Sequence, residues 1–69
     1  MKKMMNGLVI KRGTEYLARK GKKVRMDPDG SCWSADIQKA RVFANHDHAC
    51  RSAERVGGTV RIMTNGKIA

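Results

Sequence analysis

Cys32, His46, His48 and Cys50 are the residues of this 69-residue chain whose side chains could ligate a metal or act as nucleophile and base. His46 and Cys50 stand four apart, so a helix places them on one face, and an imidazole with a thiolate is half of a tetrahedral zinc set. The other half is harder to supply. None of the familiar paired spacings is present, His48 is rotated off that face, and Cys32 would have to arrive from a distant strand. These residues therefore read as polar groups at a helix start with one semi-buried thiol. The same atoms can be written as a Cys–His nucleophile pair, but no third residue orients the imidazole and no oxyanion site accompanies it. Gly57-Gly58-Thr59 follows a helix and precedes a strand, the reverse of the order in which a helix N-terminus receives phosphate. A helix stop accounts for it. The expectation is a protein with no catalytic residue, metal or cofactor.

Charge carries more information. Fifteen Lys and Arg against six Asp and Glu give a formal net charge of +9. Lys2, Lys3, Lys11, Arg12, Arg19, Lys20, Lys22, Lys23 and Arg25 all fall within residues 1–26, where Glu15 is the one acid, and the remainder is almost balanced. So uneven a distribution points to a polyanion or an acidic protein face as partner for the first third of the chain. The expected binding surface is Lys11, Arg12, Arg19, Lys20, Lys22, Lys23 and Arg25, centred on the basic turn Lys20-Gly21-Lys22-Lys23. The exposed helix face of Arg51, Glu54 and Arg55 is the alternative. Base stacking needs exposed rings beside that surface, and of the three aromatics only Tyr16 is not wanted for the core.

No apolar run approaches the ~18 residues of a membrane span, and Leu8-Val9-Ile10 is closed by Lys11-Arg12 before it could serve as a signal-peptide core. The expectations are no membrane partner, a bacterial cytoplasm and two reduced thiols. At this length a core contributes about 3–5 kcal/mol of net stability, so a single thin domain spans 1–69, with frayed ends at 1–6 and 64–69. A partner, a second copy of the chain included, is one way such a domain gains support.

The elements that must hold these residues follow from period and punctuation. Leu8 to Arg12 reads as a strand, Gly13-Thr14 as a turn and Thr14 to Arg19 as its hairpin mate, with Leu8 and Ile10 opposing Val9 and Lys11, and Tyr16 and Ala18 opposing Leu17. Val24-Arg25-Met26 extends the sheet until Asp27-Pro28-Asp29-Gly30 turns the chain. Ser31 to Ala35 is a further strand carrying Trp33. Ile37, Ala40 and Phe43 then recur at helical spacing. Asn45 caps a helix over Asp47 to Val56, buried through Ala49, Ala53 and Val56 and stopped by Gly57-Gly58. Thr59 to Met63 is a last strand with Val60 and Ile62 inward, after which Lys67-Ile68-Ala69 pairs back or frays. The predicted class is α+β: an antiparallel sheet of three to four strands with one helix on one face, and a core of Trp33, Ile37, Phe43, Ala49, Ala53, Val60 and Ile62. Phosphate contact by a small nucleic-acid-binding accessory protein, independent of base sequence, is one function such a scaffold serves.

The order Leu8-Val9-Ile10-Lys11, Tyr16-Leu17-Ala18-Arg19, Cys32-Trp33-Ser34, Asp36 to Phe43, Ala49 to Ala53 and Gly57-Gly58-Thr59-Val60-Arg61 resembles a type of small phage and prophage protein. In that type a hairpin leads through a Trp strand and an Ile-x-x-Ala-x-x-Phe turn to one helix and a last strand. The resemblance covers most of Leu8 to Met63. It implies a ββ(β)αβ fold and a class that includes anti-CRISPR inhibitors, which bind a Cas protein or nucleoprotein complex without an active site. An inhibitor of that kind would dock its basic hairpin on a Cas effector or its nucleic-acid-binding face. The positive charge departs from inhibitors that mimic DNA with acidic surfaces.

Overall fold

The computed structural model describes residues 6–21, 24–65 and 67–68. Strands β1 (Gly7–Arg12), β2 (Glu15–Ala18), β3 (Arg25–Met26) and β4 (Cys32–Ser34) precede helix α1 (His46–Val56), and β5 (Thr59–Thr64) and β6 (Lys67–Ile68) follow it. They form one sheet in the order β3-β4-β2-β1-β5-β6, every pairing antiparallel. The α+β class is as expected, but the sheet has six strands where three to four were predicted. The added width comes from Arg25–Met26, which pairs with β4, and from Lys67–Ile68, which pairs back on β5. Both are two-residue edge strands at places the sequence marked, as an extension of the sheet at Val24-Arg25-Met26 and as pairing or fraying at Lys67-Ile68-Ala69, but too short to be counted as strands on periodicity.

The β1–β2 hairpin is paired only beside its turn, at Lys11 with Tyr16 and Arg12 with Glu15. Beyond that point the strands splay, and residues 40–43 enter between them. Ala40 bridges Ala18, the Arg41 amide donates to the Leu17 carbonyl at 2.8 Å, and Leu8 and Phe43 exchange backbone bonds of 2.9 and 2.7 Å. This wedge answers the amides and carbonyls that the splayed strands would otherwise leave unpaired. It also limits the helical reading of Ile37, Ala40 and Phe43, one or two short turns, to a single turn. Only Ile37–Lys39 forms a single 3-10 turn, capped by the Asp36 side chain, and the chain then runs extended. Ala40 and Val42 thereby face one side of the sheet, with Val9 and Met63, while Phe43 faces the other.

The sheet is consequently covered on both faces. On the helix side Ile10, Leu17, Trp33 and Phe43 pack with Ala49, Ala53 and Val56, flanked by Leu8 and Val60. On the far side Val9, Ala40 and Met63 are buried with Tyr16, Ile37, Val42 and Ile68 around them. Ile37 thus supports the opposite face from Trp33 and Phe43, with which it was grouped. Ile62 is the other correction. It faces the helix side but lies beyond the helix's cover at 60% exposure, and Met63 at 1% is the buried residue of that pair. The helix itself matches its signals: Asn45 accepts from the His48 amide at 3.1 Å, and Gly57 closes it at φ 73°. Gly58 lets the helix-to-strand turn press on the core, because a Cβ there would stand 2.6 Å from the Ile10 side chain.

Candidate basic binding surface

Of the seven cations expected to form the binding surface, two are engaged in ion pairs within the chain, Arg12 half-buried and Arg25 exposed. Arg12 lies with its guanidinium 3.9 Å from the Trp33 ring centroid, donates to the Val56 carbonyl at 3.0 Å and pairs with Asp27. That carbonyl is at the helix C-terminus, where a cation answers both an open acceptor and the negative end of the helix dipole. Arg25 spans Glu15 and Asp27. All three ion pairs among the described residues belong to these two arginines. Strand register explains the convergence: Arg12 lies opposite Glu15 and Arg25 opposite Trp33, and all four point to the helix side. Lys11 lies on the other face, 5.9 Å from the Tyr16 ring centroid. Lys22 and Lys23 fall outside the described residues, while Arg19 and Lys20 are exposed at the end of β2.

The hydrogen-bonded carboxylates give up their protons more readily than free ones. Hydrogen bonding from Arg12, then from Arg25, holds Asp27 below the usual carboxylate range, Arg25 does the same for Glu15, and the Ser31 hydroxyl and amide do so for Asp29. Glu15 and Asp27 in turn push Arg25 further up. A carboxylate whose folded pKa is depressed contributes stability that is complete above its unfolded pKa of about 4 and is lost as pH falls through the folded value. The thermal midpoint is therefore expected to be level from about pH 7 to 5 and to drop below about pH 4. An Asp27→Asn variant should start lower and show a shallower acid slope. A midpoint unchanged from neutrality to about pH 3 would contradict the arrangement.

Five other cations meet on the helix side. A surface cavity of about 600 Å³ between the end of β2, the turn before β4 and the last helical turn is lined by Arg19, Lys20, Arg41 and Arg55. A neighbouring one of about 390 Å³ is lined by Arg41, His48, Arg51 and Arg55. Arg41 joins the two. It was absent from the expected surface because its position depends on the wedge, which turns it to the same side as Phe43 and sets its guanidinium 4.7 Å from that ring's centroid. Arg51 and Arg55, named in the alternative surface, come from one face of α1. None of Arg19, Lys20, Arg41, Arg51 and Arg55 has a carboxylate partner among the described residues. The single acid on the larger cavity, Asp29, is turned to Ser31, whose amide and hydroxyl it accepts at 3.0 and 2.6 Å.

The four residues weighed for metal or nucleophilic chemistry do not assemble. Cys32 is buried in β4, Cys50 is exposed with its sulfur 3.7 Å from the His46 ring nitrogens, and His48 stands edge-on to Phe43. Among the described residues no three His, Cys, Asp or Glu side chains gather into a metal-binding group. No helix described is long and apolar enough to cross a membrane. Fold and surface together define a small α+β protein with a cation-lined side. No family model, curated protein or solved structure matches the chain.

Proposed function

We propose that this is a non-catalytic binding protein that sets its basic side against the phosphate backbone of a nucleic acid, free or carried by a nucleoprotein complex. One observation carries the reading: Arg19, Lys20, Arg41, Arg51 and Arg55 line adjoining cavities, none of them in an ion pair among the described residues, against the single acid Asp29 on that lining. A protein interface of useful strength is anchored by buried apolar or aromatic groups inside a polar rim. Met26 and Ile62, the exposed large apolar side chains among the described residues, line neither cavity. Binding dominated by cations, without exposed rings to stack on bases, is what phosphate contact requires.

The resemblance to small phage proteins favours a second, narrower reading, an inhibitor of anti-CRISPR type that occupies the nucleic-acid-binding face of a Cas complex in the bacterial cytoplasm. Salt separates the two. Titration against labelled DNA and RNA is expected to show affinity that falls steeply between about 50 and 200 mM salt if free nucleic acid is the target. A stoichiometric complex with a guide-loaded effector that survives moderate salt and blocks target binding would establish the inhibitor. Replacing Lys20, Lys22 and Lys23 together by Glu should weaken either interaction collectively while leaving the melt unchanged, because exposed ion pairs are worth only about 0–1 kcal/mol each. A triple variant that binds like the parent would exclude the basic turn from the interface.

A further inference from the structure

The basic side contains a built seat, to which the basic turn Lys20-Gly21-Lys22-Lys23 contributes Lys20 and the wedge and helix contribute the rest of the described cations. We propose that the cavity enclosed by Arg19, Lys20, Arg41 and Arg55 holds consecutive phosphodiester groups of a nucleic-acid strand, with Arg51 continuing the track along α1. This rests on the phosphate-binding reading above and gives it an address.

Its four cations come from three separate parts of the chain: the end of β2, the wedge and the last turn of α1. Gathering them opposes folding through mutual repulsion, and Arg51 with Arg55 adds a like-charged i, i+4 pair on one helix. Asp47, four residues before Arg51 on α1, lines a separate cavity with it and tempers the outer end of the track, but no ion pair reaches Arg19, Lys20, Arg41 or Arg55 among the described residues. Glu15 and Asp27 serve Arg12 and Arg25, and Asp29 serves Ser31. An anion entering the cavity would supply the missing counter-charge.

Position is as telling as charge. Arg41 is held by its backbone bond to Leu17 and by the Phe43 ring beneath it, so its guanidinium is oriented before a ligand arrives. A planar fork fixed in this way favours bidentate phosphate contact and loses less entropy on binding than an unrestrained lysine. The nearby helix C-terminus would repel an anion, but Arg12 already covers the Val56 carbonyl. Three cations share the smaller cavity, two of them with the larger, so the track is continuous from β2 to the helix.

The test is fluorescence anisotropy with labelled oligothymidine, its duplex and an RNA of the same length, across a salt series. Arg19→Glu/Arg55→Glu changes two exposed residues and should leave the thermal melt in place. It is expected to lose at least about tenfold in affinity and to flatten the log–log salt slope by about 2, roughly one unit per lost phosphate contact. Arg41→Gln should weaken binding further, and Arg61→Glu, on the opposite face of β5, should change little. The strand and duplex arms show which form of backbone the seat accepts. If the parent binds but the double variant binds equally well, while Lys22→Glu/Lys23→Glu does not, the seat is wrong and the function reading stands. If the parent binds no oligonucleotide at low salt, or binds polyglutamate as tightly, the phosphate reading itself falls.

Discussion

Phe43→Ala should lose about 3–5 kcal/mol, most of what a core of this size contributes. Phe43 is 3% exposed, so truncation leaves a cavity beneath the helix and takes away the ring against which His48 and Arg41 are set. Its amide and carbonyl are both bonded to Leu8, which keeps the chain from collapsing into the space. Urea denaturation followed by tryptophan fluorescence measures the loss through Trp33, and Ile62→Ala, at a 60% exposed site on the same side, should be nearly neutral. Equal midpoints for the two variants would show that Phe43 is not a principal core residue.

Arg12→Ala is expected to destabilise by about 2–3 kcal/mol, unusually much for an arginine on a strand end. The substitution removes the cation stacked on Trp33, the hydrogen bond to Val56 and the ion pair with Asp27. Lys20→Ala, which removes the same charge from an exposed position, should stay within about 0.5 kcal/mol. The pair separates structure from binding. Arg12→Ala should lower the denaturation midpoint and weaken nucleic-acid binding in the folded range only slightly, through the uncovered helix C-terminus, whereas Lys20→Ala should leave the midpoint in place and lower the affinity. A fully stable Arg12→Ala protein that no longer binds would return Arg12 to the contact surface.

Local chemistry made part of this molecule legible from its residues. Asn45 and Gly57 bracket the helix because a cap and a left-handed stop are decided within a few residues. The alternation in Leu8 to Ile10 and Tyr16 to Ala18 likewise assigns its faces correctly, since each strand is packed on both sides. The wedge could not be read in this way. Ile37, Ala40 and Phe43 fit a helical period, and only the open backbone of two splayed strands, remote in sequence, draws residues 40–43 into an extended path. The basic surface was legible as charge and not as geometry. Nothing in the composition tells that Arg12 and Arg25 will meet Glu15 and Asp27, or that Arg41 will stand beside Arg55, because both depend on strand register and on the wedge.

That wedge also governs how the chain reaches its native state. A hairpin whose strands pair along their length can form early from neighbouring residues, but this one stays open until a segment from beyond β4 has threaded into it. The cost of closing that long loop falls before most of the sheet can be completed, which raises the contact order and slows the search relative to a simple meander. It also removes any stable halfway house. Neither the first hairpin nor the helix with its last strand holds a finished sheet alone, so for all its short length the domain should assemble in a single concerted event, with the middle of the chain as the latch.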